Sequence, residues 1–369
     1  MPKFSLRFPV LLLALLALLA GMWAGLLRLG WIWPPLNPLL PVEHGPLMVS
    51  GFLGTLIGLE RSVALSMTAV PRRKWLYYLS PAITGIGSLL ILTGLNLFTG
   101  AGLIWIGSVG LLIMFGLILK RHTGLDTAVM ALGALCWLVG NTIWLGRGLM
   151  FQVTWWWAAF LILTIAGERL ELSRVLRIPQ QPKIVFGLII LLQILGLILL
   201  MFAYDGGVRL FSFSLILLSL WLIYYDLARR NIHQSGLTRF IAVCLLSGYF
   251  WLLAAGVMGV VFGGVIAGFR YDAILHSIFL GFVFAMIFGH APIIFPAVLN
   301  VAMRYSSTFY IPLILLHLSL ILRVGSDLLL WFPGRQYGGL LNVLVLLLFL
   351  LNTIIAIIRG QKESGAQPT

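Results

Sequence analysis

Four of the six histidines lie inside long apolar runs, where an imidazole is a metal ligand or proton carrier more readily than a solvated surface group. His44 stands near the start of EHGPLMVSGFLGTLIGLERS, and His276 and His290 share AILHSIFLGFVFAMIFGHAP. His44 and His276 fall at one depth on two helices running the same way. They could supply opposite axial ligands to a haem lying between them, or be unrelated capping or interfacial histidines. His290 follows His276 by 290 − 276 = 14 residues, which on an ideal α-helix is about 21 Å along and roughly 40° round, so both would share a face. That brings His290 towards Glu60, Arg61, Glu168 and Arg169, as an inner polar site. It could be a proton or ligand path, a second metal site, or an interhelical network whose charges neutralise one another. His317 is a weaker metal candidate, or a hydrogen-bonding partner for a neighbouring helix. Arg323 and Asp327 are expected to pair at i,i+4 spacing. Pro292 and Pro296 should break the helix just past His290, as happens beside transporter sites. His122 and His233 sit in KRHTGLD and RRNIHQSG and read as solvated loop residues.

The elements that must hold these residues are membrane helices. Of 369 residues 61% are hydrophobic and 9% charged, with mean hydropathy +1.08. Soluble domains run near a quarter charged, so a soluble enzyme and a disordered chain are excluded. Cys136 and Cys244 stand singly in apolar segments, which excludes a disulfide framework and a cysteine zinc site. A bilayer core needs roughly 20 apolar residues per helix. Twelve segments qualify: 9–28, 44–66, 76–97, 100–119, 123–145, 150–168, 184–203, 209–227, 239–263, 272–295, 308–330 and 338–358. The third and fourth have the shortest connection, Phe98 to Gly100. The first reads as an uncleaved anchor.

Placing the N-terminus inside leaves only Arg28, Arg147, Arg209, Arg270, Arg323 and Arg335 of the 24 Lys and Arg on the outer side. By the positive-inside rule both termini are cytoplasmic, in a bacterial inner membrane. The net charge of +14 is then topology and contact with anionic lipid, and no nucleic acid partner is called for. The fold expected is an all-α polytopic membrane protein, one transmembrane domain over 1–369. Gly58-Leu59-Glu60-Arg61 and Gly167-Glu168-Arg169 place Glu-Arg pairs 168 − 60 = 108 residues apart, and another 108 reaches His276. Three repeats of four helices (1–120, 121–230, 231–360) would make spans two, six and ten equivalent. Trp31, Trp33 and Trp155 to Trp157 fit an interfacial belt. Gly21/Gly25, Gly54/Gly58 and Gly259/Gly263 would let helices approach closely.

No Walker loop, dinucleotide fingerprint, HExxH motif or GxSxG elbow is present. The layout and histidines resemble the haem–copper oxidase subunit I superfamily, and within it the NnrS family of membrane haem and copper proteins linked to nitric oxide tolerance. His44-Gly45-Pro46-Leu47-Met48 followed by Gly51-Phe52-Leu53 is similar to that family's early His-x-His-Glu-Met block and Gly-Phe-Leu segment. Leu275-His276, Gly281 and Gly289-His290 are similar to its late Leu-His and Gly-His elements. Pro46 and Leu47 replace the block's second histidine and glutamate, and span six has no histidine. The resemblance implies haem, with His44 and His276 as axial ligands, and copper. It also implies a diatomic gas ligand such as nitric oxide and a membrane electron donor. A twelve-span secondary transporter and a non-catalytic membrane subunit or assembly factor are the alternatives.

Overall fold

The computed structural model describes residues 6–68, 71–176 and 178–365; among them every regular element is helical and there is no strand. Lys3 and Arg177, two of the basic residues in the charge asymmetry, lie outside the described residues. Among the described residues twelve helices are long and apolar enough to cross a membrane. They are α1 Arg7–Arg28, α2 Pro46–Met67, α3 Lys74–Thr93, α4 Leu97–Arg121, α5 Leu125–Gly146 and α6 Met150–Leu176. They continue with α7 Gln180–Leu199, α8 Tyr204–Tyr225, α9 Gly236–Phe262, α10 Phe269–Leu299, α11 Ser307–Leu328 and α12 Phe332–Glu363. In hydrocarbon a helix satisfies every backbone N–H and C=O within its own segment, so such apolar sequences have little other choice. Leu188, Leu318 and Ile321 are exposed on helix surfaces, positions that lipid rather than protein covers.

The tight turn between α3 and α4 falls at 94–96, ahead of the expected Phe98 to Gly100. Gly94 ends α3 in the left-handed region at φ 69°. The Asn96 side chain then accepts from the Thr99 N–H at 2.9 Å and caps α4. Gly100 thus lies inside α4, where a Cβ on Gly87 of α3 would stand 2.6 Å from its carbonyl oxygen.

The chain divides into two compact units, Met1–Phe160 and Leu161–Thr369. In the first, α1 packs on α2 and α3, α3 on α4, and α4 on α5. In the second, α7 packs on α8, α8 on α9, α9 on α10, α10 on α11, and α11 on α12. The most enclosed helices are α2, α6 and α10, at 67, 78 and 67% buried, against 56% at most elsewhere. Most of the residues on these three therefore have protein around them.

Enclosure also corrects the reading of the tryptophan triplet. Trp155, Trp156 and Trp157 are buried at 0, 8 and 1% exposure, not ranged along an interface. Trp157 Nε1 donates to Asn141 Oδ1 at 2.9 Å, and Trp137 Nε1 to Ser50 Oγ at 3.0 Å. Gly140 and Gly54 admit the two indoles, since a Cβ there would stand 2.8 and 2.4 Å from them. Trp31 and Trp33 are half-buried, and Trp33 stacks on both Trp31 and Trp23.

Two stretches leave α geometry. Leu47–Gly54 in α2 and Ser277–Phe284 in α10 are π-helical, each eight residues long. Such i→i+5 turns are rare and concentrate at functional sites. Both contain Gly-Phe, at Gly51-Phe52 and Gly281-Phe282. A Cβ on Gly51 would lie 2.9 Å from Ala17 Cβ, and one on Gly281 2.4 Å from Trp251 Cγ. The break expected at Pro292 and Pro296 does not occur. Helix α10 runs through both prolines and ends at left-handed Asn300, φ 55°. Each proline removes one N–H, and the rest of the ladder and the packing on α9 hold the helix together.

Candidate functional site

His44 opens the helical turn that leads into the π stretch of α2. Its Nδ1 lies 2.7 Å from the Gly21 carbonyl oxygen on α1. A carbonyl can only accept, so Nδ1 carries the proton and, in the neutral ring, Nε2 carries the lone pair. The fit depends on glycine, because a Cβ on Gly25 would stand 2.8 Å from His44 Cε1. The small-residue pair Gly21/Gly25 therefore seats an imidazole as well as a helix. Glu43, just before it, is buried, and its Oε2 has no hydrogen-bond partner. Loss of hydration holds the Glu43 carboxyl above the ordinary carboxylate range.

His276 precedes the π stretch of α10. Its Nδ1 is 3.0 Å from the Asp272 backbone oxygen and 3.3 Å from Asp272 Oδ1, so this ring also donates from Nδ1. Asp272 is enclosed by cations. Arg323 of α11 grips it with both arms of the guanidinium, Nε to Oδ2 at 2.9 Å and Nη2 to Oδ1 at 3.1 Å. Arg335 of α12 places Nη2 3.2 Å from Asp272 Oδ1 and Nε 3.3 Å from Asp327 Oδ1, with its guanidinium 4.9 Å above the Phe269 ring. Arg323 and Asp327 thus do not pair with each other, as their spacing suggested. An i,i+4 pair on one helix is worth only tenths of a kcal/mol, about 0.2–0.5. A buried two-armed Arg–carboxylate contact between helices outweighs it.

His290 faces a different set. Its Nδ1 donates to the Met286 carbonyl at 2.7 Å, leaving Nε2 to accept from Arg169 Nη1 at 3.2 Å. Arg169 also reaches Asp226, Nε to Oδ2 at 2.8 Å and Nη2 to Oδ1 at 3.4 Å. Tyr249 of α9 stands beside that pair, fully buried. So His290 and Arg169 come together as expected. Glu60 and Arg61 form their own contact at 3.4 Å, with Arg61 5.7 Å from the Phe115 ring centre. Glu168 is half-buried on the turn before Arg169. His276 meets Asp272, whereas His290 meets Arg169. The intervening π turns wind fewer degrees per residue than α turns, so the ideal-helix phase does not carry across them.

His317 accepts from Trp251 Nε1 at 3.0 Å through Nδ1. In the neutral ring Nε2 then bears the hydrogen, and no lone pair is left for a metal. His290 Nε2 is occupied by Arg169 in the same sense. Among the described residues no three His, Cys, Asp or Glu side chains gather as a metal-holding group. His122 and His233 are exposed.

Arg335, Asp226 and Tyr249 were not anticipated as site residues. Arg335 entered the sequence reading only as an outer-side basic residue, and Asp226 and Tyr249 did not enter it. One signal was available: Asp272 stands four residues before His276, and a carboxylate at that depth needs a cation from another helix. The two arginines of the hairpin that follows were the candidates.

The chain matches neither a curated protein nor a solved structure. A family model described as Domain of unknown function (DUF8744) does match it, over residues 7–358. That match begins with the first residue of α1 and ends inside α12, taking in both histidine sites, and the chain belongs to this family.

Proposed function

We propose that the chain is a haem-binding protein, similar to the NnrS family, in a bacterial cytoplasmic membrane with both termini inside. In this reading it binds a diatomic gas such as nitric oxide, or passes electrons from a membrane donor. The supporting observation is the shared state of His44 and His276. Each donates Nδ1–H to an oxygen acceptor and so presents Nε2 as its basic nitrogen. Metal-ligating histidines adopt that arrangement, because the second hydrogen bond fixes the tautomer and ring orientation and raises ligand basicity. His44 and His276 would be the residues to hold the haem, whose iron would supply gas binding or electron transfer. The Gly21 carbonyl and Gly25 hold the first ring in place, and Asp272 with its two arginines orients the second. Each ring stands at the head of a π-helical stretch, a placement typical of functional positions.

An absorption spectrum of protein purified from haem-replete cells tests this. A Soret band that is lost in His44→Ala or His276→Ala is the expected result, and colourless wild-type protein would refute the reading. The second reading is a twelve-span secondary transporter. It draws support from the two ionic clusters along α10, since buried charges in membrane helices often line ion or substrate paths. Uptake into proteoliposomes that depends on His290 would favour it.

A further inference from the structure

Asp327 is the one carboxylate of the His276 cluster that the surrounding cations do not satisfy. Its side chain is 0% exposed, and neither oxygen has a hydrogen-bond partner. Arg335 is its nearest cation, at 3.3 Å through Nε, and that guanidinium also serves Asp272 through Nη2 at 3.2 Å. Arg323 is committed to Asp272 with both arms. His276 Nδ1 turns to Asp272 as well. The groups facing Asp327 are therefore Arg323 on its own helix α11, Arg335 from α12, and Asp272 from α10, with His276 one step beyond.

An ionised carboxylate accepts about four hydrogen bonds and donates none. At Asp327 the one cation contact is Arg335 Nε, 3.3 Å from Oδ1 and outside hydrogen-bond geometry; the side chain is fully enclosed, and a second carboxylate shares the same guanidinium. Leaving an ion so poorly solvated costs more than carrying a proton does. With Asp327 ionised the four charged side chains sum to zero; with it protonated they sum to one positive charge. Arg335 is then left to Asp272, which in turn holds His276.

We infer that Asp327 is a proton-binding site, and that its occupancy sets the charge of the cluster around His276. The ligand is a hydrogen ion, delivered to a fully enclosed carboxyl at the junction of α10, α11 and α12. This does not depend on haem, because every group involved belongs to the chain.

Infrared spectroscopy of the full chain in lipid nanodiscs tests the site directly. The expected result is a protonated-carboxyl C=O stretch at neutral pH that shifts in D2O and is lost in Asp327→Asn. It should survive in Glu43→Gln, which removes a buried acid outside this cluster. The amide mimics the protonated acid in shape, so Asp327→Asn is expected to fold. Wild-type stability should also fall with rising pH, by up to tenfold in the folded-to-unfolded ratio per pH unit for one proton, and this slope should flatten in the variant. A band unchanged by Asp327→Asn would overturn the inference. So would an Asp327→Asn chain that does not fold while Asp327→Glu does, since that would mean the ionised form is required.

Discussion

Around His44 the described contacts are backbone and glycine: the Gly21 oxygen takes the ring proton, and Gly25 leaves space for the ring. Around His276 the Asp272 backbone oxygen takes the ring proton at 3.0 Å, and the Asp272 carboxylate, held under two guanidiniums, adds an ionic contact at 3.3 Å. The rings end in the same tautomer. One is held by shape, in the first unit, and the other by charge, in the second. Shape tolerates no added volume, whereas charge tolerates no missing partner, and the two should fail under different substitutions.

The largest effect is expected on the ionic side. Arg323→Ala leaves Asp272 buried with half its neutralising contacts gone, and removing one partner of a buried ion pair costs about 3–5 kcal/mol. Chemical unfolding in detergent measures this, and a cost under about 1 kcal/mol would mean that Arg335 alone suffices. On the packing side, Gly25→Val drives a branched carbon into the imidazole, and overpacking of this kind costs about 1–3 kcal/mol. If haem is bound through His44, the same substitution should weaken the Soret band, while Gly102→Val, where a Cβ meets nothing within 4 Å, should leave it intact.

Smaller still is Trp251→Phe, which removes the donor to His317 but keeps the ring against Gly281; loss of one neutral hydrogen bond is worth about 0.5–1.5 kcal/mol. A larger loss would show that His317 depends on that bond for more than its orientation. The mildest change is Glu43→Gln. Burial raises the Glu43 carboxyl, so the folded state binds its proton more tightly than the unfolded chain does. Its contribution is full below the ordinary carboxylate range and is lost as pH rises through the raised value. Glu43→Gln should therefore gain stability relative to wild type at neutral pH and none in acid. Parallel pH profiles for the two proteins would contradict this.

The helices were legible because hydrocarbon demands long uninterrupted apolar segments, and that demand shows in the sequence residue by residue. His44, His276 and His290 stood out as polar exceptions within them, and the His290–Arg169 contact followed from counting down the helices. What could not be read depends on partners far along the chain. Arg323 finds Asp272, 323 − 272 = 51 residues away, and no local spacing encodes this. Trp155 to Trp157 have the composition of an interface and the location of a core, because Gly140 on a neighbouring helix makes room for Trp157. The π stretches escaped notice for a related reason: a periodicity search assumes 3.6 residues per turn, which those residues do not keep.

Those wide turns have a consequence for how this chain can change over evolutionary time. A π stretch behaves as an α-helix that has absorbed extra chain length without breaking. Deleting a residue from Leu47–Gly54 or Ser277–Phe284 would let the helix relax towards α geometry, changing the angular phase of one side against the other. His44 would then rotate relative to Glu60 and Arg61, and His276 relative to His290, with each local sequence left intact. Single-residue insertions and deletions in these two stretches are thus a route by which relatives could re-aim one end of a membrane helix while preserving the packing of the other.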